Sequence, residues 1–295
     1  MMSLQRRHPG CACVFFLCVM LPVVFGINPI TAVTGLCFGM ALLCLLERNI
    51  SLKSLAVYPL LSAVSGMINP LFNHNGKTIL FFLNRNPVTL EAVLYGLVMG
   101  MLIASALVWA RCFTLVMDTE KLLAVTGRMN PKVSLILSMT LRYIPLFRNQ
   151  TGRVREAQAG LGLIREENGL DRIRGSLRVL DGMVSWGLEN GITTADSMTA
   201  RGYGCGRRTG YNAYIWERAD TAVTCGSLLL LAAVCIARAA GKIGYTWYPE
   251  LRVPDTGVWG VLAYTAFGLL CGMPVFFEIR DRRKWKKLRS GTECG

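Results

Sequence analysis

LEAVLYGLVMGMLIASALVWA, residues 90–110, is long and apolar enough to cross a lipid bilayer as one helix. The hydrocarbon core of a bilayer requires about 20 mostly apolar helical residues, and Glu91 is the one charged residue in this stretch. Five more stretches meet or approach that length. The sequence therefore predicts an all-α integral membrane protein with about six transmembrane helices, at 11–26, 30–46, 55–72, 90–110, 221–240 and 256–279.

The first of these stretches follows Arg6 and Arg7, as the apolar part of a signal peptide would. No small-residue cleavage site leads from it into a soluble domain, and a second apolar run begins almost at once. We therefore expect a first span that stays in the protein.

The composition of the chain favours the same class. Charged residues make up 17% of its 295 residues, and the mean hydropathy is +0.41, whereas soluble domains carry about 25% charged residues. The 11 cysteines form no CxxC pair, and the only histidines are His8 and His74. A zinc site or a histidine-centred triad has little to build on, so we expect no metal, no cofactor and no catalytic residue.

The net charge of +14 indicates an orientation. Sixteen Lys and Arg lie between 111 and 219, and seven more lie in RDRRKWKKLR at 280–289. Because cytoplasmic loops carry the excess of Lys and Arg, we expect a multi-pass protein of the cell membrane with both termini and the middle segment in the cytoplasm. The chain then divides into N-terminal transmembrane helices (1–110), a cytoplasmic or interfacial helical domain (111–220), C-terminal transmembrane helices (221–280) and a basic cytoplasmic tail (281–295).

The first half of the middle segment predicts two helices. VSLILSMTLRYIPLF at 133–147 is apolar but short, and it contains Arg142 and Pro145. A charge inside the membrane is costly, so an interfacial helix is predicted there rather than a seventh span. A polar helix is predicted from about Arg148 to Leu161.

The second half predicts a two-faced helix of about 25 residues that ends at Gly202, a helix-stopping glycine. Three glycines inside it, at 182, 187 and 191, weaken the helix. We expect its apolar face to pack on other helices of the same chain. That face consists of Leu177, Val179, Leu180, Met183, Val184, Leu188, Ile192, Ala195 and Met198.

ADSMTARGYGCGRRTGYN, residues 195–212, combines alternating glycines with arginines. It follows a helix and lacks the GxxxxGK[ST] pattern of a phosphate-binding loop, so we expect the chain itself not to bind ATP. Its arginines fit cytoplasmic topology and anionic lipid headgroups better than nucleic acid. Two interpretations of Arg201 stay open. It reaches a carboxylate on a partner protein, or it is a cation stabilised by about 0.3–1 kcal/mol at a helix C-terminus.

Three motifs resemble the T component, the transmembrane coupling subunit, of energy-coupling factor (ECF) transporters, a family that includes the cobalt-transport Q protein. They occur in the family's order and extend over most of the chain from residue 68 to 210. The motifs are INPLFNHNGKTILFFLNRNPVTLEAVLYG at 68–96, SMTLRYIPLFRNQ at 138–150 and ADSMTARGYGCGRRT at 195–209.

The resemblance implies a non-catalytic membrane scaffold in a vitamin or transition-metal importer. Its partners would be two ABC-type ATPase subunits and a small substrate-binding membrane (S) subunit, which selects the solute. Two cytoplasmic coupling helices, each ending in an Ala-Arg-Gly motif, would dock on the ATPases and pass their movement to the S subunit. Ala200, Arg201 and Gly202 match the second motif, and Arg142 and Pro145 belong to the coupling segment.

The first docking motif departs from the family's pattern. The family's A-Q-x-A-R-G corresponds here to AQAGLG at 157–162, which keeps Ala157, Gln158 and Gly162 but has Gly160 in place of alanine and Leu161 in place of arginine. Losing that arginine removes a charge-assisted anchor worth about 1.5–3 kcal/mol. A shifted alignment that uses Arg165 or the IRG at 173–175 stays open.

Two other functions compete with the coupling subunit. A self-contained membrane permease or channel needs polar or charged groups deep in its spans. The polar residues within these spans are mainly Ser, Thr and Cys. A membrane-bound enzyme needs paired carboxylates or a histidine constellation, whereas Glu91 and Glu278 lie at span ends, where charges are tolerated.

Overall fold

The computed structural model of the chain describes residues 7–47, 51–73, 76–83, 86–163, 169–206, 214–247 and 257–292. Helices dominate this part of the chain, with one short β-hairpin between the third and fourth helix, so the predicted all-α class is confirmed. The elements are α1 (Pro9–Phe25), α2 (Pro29–Leu46), α3 (Leu52–Phe72), β1 (Ile79–Leu83), β2 (Asn86–Thr89), α4 (Leu90–Val116), α5 (Thr119–Met129), α6 (Pro131–Gly160), α7 (Gly169–Ala200), α8 (Arg218–Ala239) and α9 (Gly257–Thr292).

Six helices correspond to the six predicted spans. Five of them, α2, α3, α4, α8 and α9, are long and apolar enough to cross a membrane. The sixth, α1, is apolar but has only 17 residues. The helices overrun several predicted boundaries, and α9 runs on into the basic tail as far as Thr292.

The chain forms two compact units, one of residues 1–122 with 214–295 and one of residues 123–213. In the first unit, α3 and α4 approach each other closely because small residues line their contact. A Cβ added to Gly100 of α4 would lie 2.7 Å from the Cα of Ser62 in α3. Small residues at such contacts allow two membrane helices to pack backbone to backbone.

The other face of α4 packs on α2 through a buried tryptophan. The indole of Trp109 is fully buried, and its Nε1–H donates to the carbonyl of Gly35 at 2.9 Å. A Cβ on Gly39 would lie 3.1 Å from that same Nε1. A large side chain on α4 therefore fills the space that two glycines of α2 leave open.

A buried ion pair joins α1 to α8 near the start of the described chain. The guanidinium of Arg7 lies 3.3 Å from the carboxylate of Asp220, and both side chains are buried. Arg7 also donates to the carbonyl of Ala219, and its Cζ lies 5.0 Å from the centre of the Phe277 ring in α9. Three helices thus meet around one arginine.

The β-hairpin was not predicted. It pairs β1 with β2 antiparallel, with Ile79 opposite Thr89 and Phe82 opposite Pro87, within the stretch that the sequence marks only as a loop before a span. Glu91, expected as an interface charge, is buried at the start of α4 and accepts a hydrogen bond from the backbone N–H of Thr78 at 3.3 Å. The carboxylate therefore fastens the hairpin to the helix.

In the second unit, α6 is one helix of 30 residues, so the two stretches predicted to be helical, 133–147 and from about Arg148, are confirmed as helical and join in a single helix. Pro145 lies inside it. A proline removes a single backbone hydrogen bond, and the change of polarity at Arg148 alters the exposed surface but not the backbone. Likewise α7 runs unbroken through the glycines at 182, 187 and 191.

Helices α6 and α7 pack against each other in opposite chain directions. The hydroxyls of Tyr143 and Thr194 lie 3.0 Å apart, and the rings of Phe147 and Trp186 meet edge to face with their centres 5.4 Å apart. A Cβ on Gly187 would lie 2.9 Å from Cζ of Phe147. Gly187, which weakens a helix in isolation, admits the aromatic ring of the neighbouring helix.

The expectation that the apolar face of α7 packs within the chain is wrong for most of that face. Val179 and Met183 are buried. Five other members are 53–65% exposed, because a helix that contacts a single neighbour covers only a narrow strip of its own surface. These exposed side chains, with two more at the start of α7, form an apolar stripe made of Leu170, Ile173, Leu177, Leu180, Val184, Leu188 and Ile192.

Candidate docking site on the second unit

The C-terminus of α7 places the three residues of the second docking motif at consecutive cap positions. Ala200 is the last helical residue, Arg201 follows, and Gly202 has a left-handed φ of +80°. The N–H of Gly202 donates to the carbonyl of Thr199 at 2.9 Å, and the N–H of Tyr203 donates to that of Met198 at 3.0 Å. We call this arrangement a glycine stop, since glycine adopts the left-handed conformation without strain.

The C-terminus of α6 has the same geometry. Gly162 has a φ of +69°, its N–H donates to the carbonyl of Ala159 at 2.9 Å, and the N–H of Leu163 donates to that of Gln158 at 3.1 Å. Leu161 therefore occupies on α6 the position that Arg201 occupies on α7. Its side chain is 73% exposed.

A glycine stop does not by itself mark a docking site. Helix α8 of the first unit also ends in one, with Gly241 at a φ of +70° and the N–H of Lys242 donating to the carbonyl of Ala237 at 3.1 Å. Ala240 holds the position equivalent to Arg201 there. What distinguishes the two ends in the second unit is the set of side chains around each stop.

Beside the last turns of α7 lies a cleft of about 440 Å³, formed by α6 and α7. Arg142 and Arg201 line it together, from different helices, and both are exposed. Other polar residues also line the cleft, among them Tyr143, Asn190 and Ser197. Two guanidinium groups beside hydroxyl and amide groups provide the donors that a carboxylate requires. Pro145, the other coupling-segment candidate, is exposed on α6 and is not among the residues that line the cleft.

The stop of α6 lies at the far end of the helix pair. Arg201 shares its cleft with Tyr143, and the helix from Tyr143 to Leu161 spans about 27 Å at 1.5 Å per residue. The structure therefore does not bring the two predicted motifs together. Of the first motif, Ala157 and Gly160 are exposed, and the side-chain Oε1 of Gln158 is buried without a hydrogen-bond partner among the described residues.

An arginine that the sequence did not single out lies at the stop of α6. Arg178 of α7 donates from its guanidinium to the carbonyl of Leu163 at 3.1 Å. Of the two alternatives for a shifted alignment, Arg165 lies outside the described residues, and Arg174 of the IRG faces Asp171 of its own helix at 3.8 Å. No sequence motif identifies Arg178, because its position depends on how α7 packs along α6.

Among the described residues, no group of three or more His, Cys, Asp or Glu side chains is placed to hold a metal ion. The features that remain on the second unit are two cationic helix ends and the apolar stripe. Large exposed apolar patches are typical of contacts with proteins or membranes.

Comparison with known proteins gives the family. The sequence profile of the cobalt transport protein family, CbiQ, matches residues 2–211. The energy-coupling factor transporter transmembrane protein EcfT of Streptococcus thermophilus is 30% identical over 92 residues, which is 30% of this chain and 35% of that protein. The chain thus matches about a third of that relative's length. Because the family match extends over well more than half of the 295 residues, the chain belongs to the cobalt transport protein family and, with its apolar helices, is a multi-pass membrane protein.

Proposed function

We propose that the chain is the transmembrane coupling subunit of an ECF-type importer for a vitamin or a transition metal. In this proposal two cytoplasmic ATPase subunits hydrolyse ATP, a small S subunit captures the solute in the membrane, and α6 and α7 connect them. Family membership and the name of the Streptococcus relative support this assignment. The chain itself has no catalytic role in it.

The observation that carries the proposal is that α6 and α7 each end in a glycine stop with an arginine beside it, at opposite ends of the helix pair. Each helix presents an exposed C-terminus, and the two termini are separated by most of the length of α6. A single partner domain bound at one end leaves the other end open. The pair therefore suits two ATPase subunits that bind at the same time.

At the α7 end, Arg201 and Arg142 provide the binding chemistry. Their shared cleft fits a carboxylate of an ATPase subunit, because a guanidinium binds a carboxylate through two parallel hydrogen bonds. Ala200 has no side chain beyond Cβ to block this approach, and Gly202 turns the chain away from it.

At the α6 end, Leu161 presents an apolar side chain and Arg178 supplies the cation from the neighbouring helix. Docking at this end therefore combines an apolar contact with a cation that comes from the neighbouring helix and not from the motif itself. The two ends have different chemistry, which suits two ATPase subunits that are not identical.

The apolar stripe of α7 forms the contact with the S subunit. A surface of seven exposed aliphatic side chains on one helix is larger than scattered surface residues produce, and such patches mark contacts with proteins or membranes. The polar helix ends and the apolar stripe together give one helix pair two kinds of partner.

The proposal is tested with an Arg201→Glu variant in the complete transporter. We expect it to insert in the membrane normally but to lose one ATPase subunit on purification and to abolish ATP-driven uptake. Arg153→Glu is the matched control, since Arg153 is also exposed on α6 but does not line the cleft. Unchanged uptake in the Arg201→Glu variant contradicts the docking role, and solute flux through the purified chain alone contradicts the coupling function.

The orientation is part of the proposal. The distribution of Lys and Arg supports a cytoplasmic position for both termini, for the second unit and for the basic tail, in the cell membrane. Reporter fusions at both termini test it. A terminus found outside the cytoplasm contradicts this topology.

A further inference from the structure

A cavity of about 250 Å³ lies in the first unit between α1, α8 and α9. It is located where α1 ends at Phe25 and α8 ends at Ala239. An apolar protein cavity of roughly 150 Å³ already binds a benzene molecule, so this one has room for a larger apolar group. None of its lining residues belongs to the docking surfaces on the second unit.

The mouth of the cavity carries one charged side chain. Arg238 of α8 lines this end of the cavity and donates from its guanidinium to the carbonyl of Phe25, and Tyr264 of α9 also lines the cavity. The hydroxyl of Tyr264 is buried and has no hydrogen-bond partner among the described residues. The mouth therefore offers one cation, whereas the hydroxyl of Tyr264 is enclosed by the protein.

The interior of the cavity is apolar. One turn further along each helix from the mouth, the lining consists of Pro22 from α1, Val234 from α8 and Phe267 from α9. Among the described residues of the lining, Arg238 is the only charged one. The lining thus changes from one cation to apolar side chains within about one helical turn, which is about 5.4 Å.

Aromatic residues place the mouth at the level of the lipid headgroups. The ring of Trp247 stacks on Tyr245 and lies edge to face against Tyr95, and its Nε1–H donates to the carbonyl of Ile27 at 3.3 Å. Ile27 precedes Asn28, which lines the cavity. Tyr and Trp concentrate at the boundary between hydrocarbon and headgroups, so the interior points from that boundary towards the middle of the bilayer.

We propose that this cavity binds one anionic glycerophospholipid. An acyl chain enters the apolar interior, and the phosphate binds the guanidinium of Arg238. A guanidinium carries five N–H donors in a planar fork that matches phosphate oxygens. The exposed Lys242, four residues after Arg238, adds a second cation beyond the mouth.

The test uses the full chain purified in mild detergent and native mass spectrometry with added phosphatidylglycerol or phosphatidylcholine. We expect one retained phosphatidylglycerol per chain and weaker retention of phosphatidylcholine. Cys235→Trp fills the cavity, since Cys235 lines it, and should reduce retention of phosphatidylglycerol at least tenfold. The matched control is Cys225→Trp, because Cys225 is also exposed on α8 but does not line the cavity. Arg238→Gln should reduce the preference for phosphatidylglycerol about fivefold, the effect of one cation at a membrane surface.

A second measurement needs no variant. Phosphatidylglycerol should slow the alkylation of Cys235 in the native chain and leave that of Cys225 unchanged, as read by peptide mass spectrometry. Equal retention by the two tryptophan variants, or no protection of Cys235, overturns the proposal. So does competition by glycerol phosphate, which would show a phosphate site without the acyl chain. If the Cys235→Trp variant loses a co-purifying membrane protein but still retains phosphatidylglycerol, the occupant of the cavity is that protein and not a lipid.

Discussion

Leu161 and Arg201 occupy the same position in the same backbone motif, one at the end of α6 and the other at the end of α7. In both cases the next residue is a glycine with positive φ, and two backbone hydrogen bonds close the helix with the same spacing. The sequence difference between AQAGLG and TARG therefore changes a side chain and leaves the backbone alone. A helix end that keeps this geometry without its cation needs another source of charge if it binds an acidic partner.

Arg178 provides that source, and its removal gives the first prediction. Arg178→Gln should weaken binding of the ATPase subunit at the α6 end about tenfold or more, because a charge-assisted hydrogen bond contributes about 1.5–3 kcal/mol. Adding Leu161→Arg to this variant should restore the binding, since it places a guanidinium at the position equivalent to Arg201. Binding of each purified ATPase subunit to the chain in nanodiscs measures both effects.

The control for this rescue is Ala240→Arg in the Arg178→Gln background. Ala240 has the equivalent position at the stop of α8, in the first unit. The Ala240→Arg substitution adds the same charge to the same backbone motif, at a place where no ATPase is expected to bind. A rescue by Ala240→Arg as large as that by Leu161→Arg would show that net charge, and not a defined contact, controls the binding.

The apolar stripe of α7 gives the second prediction. Leu188→Glu should leave the chain folded, because Leu188 is 65% exposed, but it should release the S subunit during purification of the transporter. Ser185→Glu is the control, since it adds the same charge to an exposed position on the polar face of α7. Pull-down of a tagged S subunit in mild detergent measures the loss. Equal retention in the two variants would mean that the stripe contacts something else.

Met183 distinguishes a surface effect from a folding effect on the same helix. Its side chain is buried against α6, so Met183→Glu should lower the thermal stability of the chain, whereas Leu188→Glu should not. If both substitutions destabilise the chain equally, Leu188 has a buried partner within the protein, and the stripe is not a free surface.

The close contact of α3 with α4 gives the third prediction. Gly100→Ala should destabilise the chain by about 1–3 kcal/mol, because the new Cβ would lie 2.7 Å from the Cα of Ser62 and the helices must move apart. Gly268→Ala in α9 is the control, since a Cβ there meets no atom within 4 Å and alanine favours the helix over glycine. Thermal unfolding in detergent compares the two variants. A Gly100→Ala variant as stable as the wild type would show that this contact relaxes freely.

The sequence predicted the spans well and the second unit less well, for a physical reason. A membrane helix must be apolar over a length set by the bilayer, so segments such as 30–46 and 90–110 can be recognised from the sequence alone. The packing of α7 along α6 has no such constraint. Its apolar face predicts a buried surface, yet Leu180 and Leu188 are exposed, because α6 covers only a narrow strip of α7.

The residues of the candidate site also differ in how far the sequence predicts them. Arg201 and Gly202 are identifiable from a local motif, since a helix and its stop are encoded by adjacent residues. Arg178 and the pairing of Arg142 with Arg201 are not, because each depends on a contact between residues far apart in the chain. The tertiary arrangement supplies the cation that the local sequence of the α6 end lacks.

The buried pair of Arg7 and Asp220 gives the last prediction. Asp220→Ala leaves the guanidinium of Arg7 buried without its carboxylate, in contact with one backbone carbonyl and one aromatic ring. The substitution should therefore cost about 3–5 kcal/mol of stability. The variant also removes one half of the capping box at the start of α8, which works in the same direction. Thermal unfolding in detergent measures the loss.

Two further variants separate the ion pair from the loss of volume. Arg7→Met combined with Asp220→Leu removes both charges and keeps apolar contacts, so it should recover most of the stability, because a buried pair replaced by well-packed apolar residues is often neutral. The control Arg174→Ala breaks an ion pair with Asp171 whose arginine is 73% exposed, and it should cost about 0–1 kcal/mol. If the double variant is as unstable as Asp220→Ala, the charges themselves hold α1 against α8, and the desolvation argument fails for this pair.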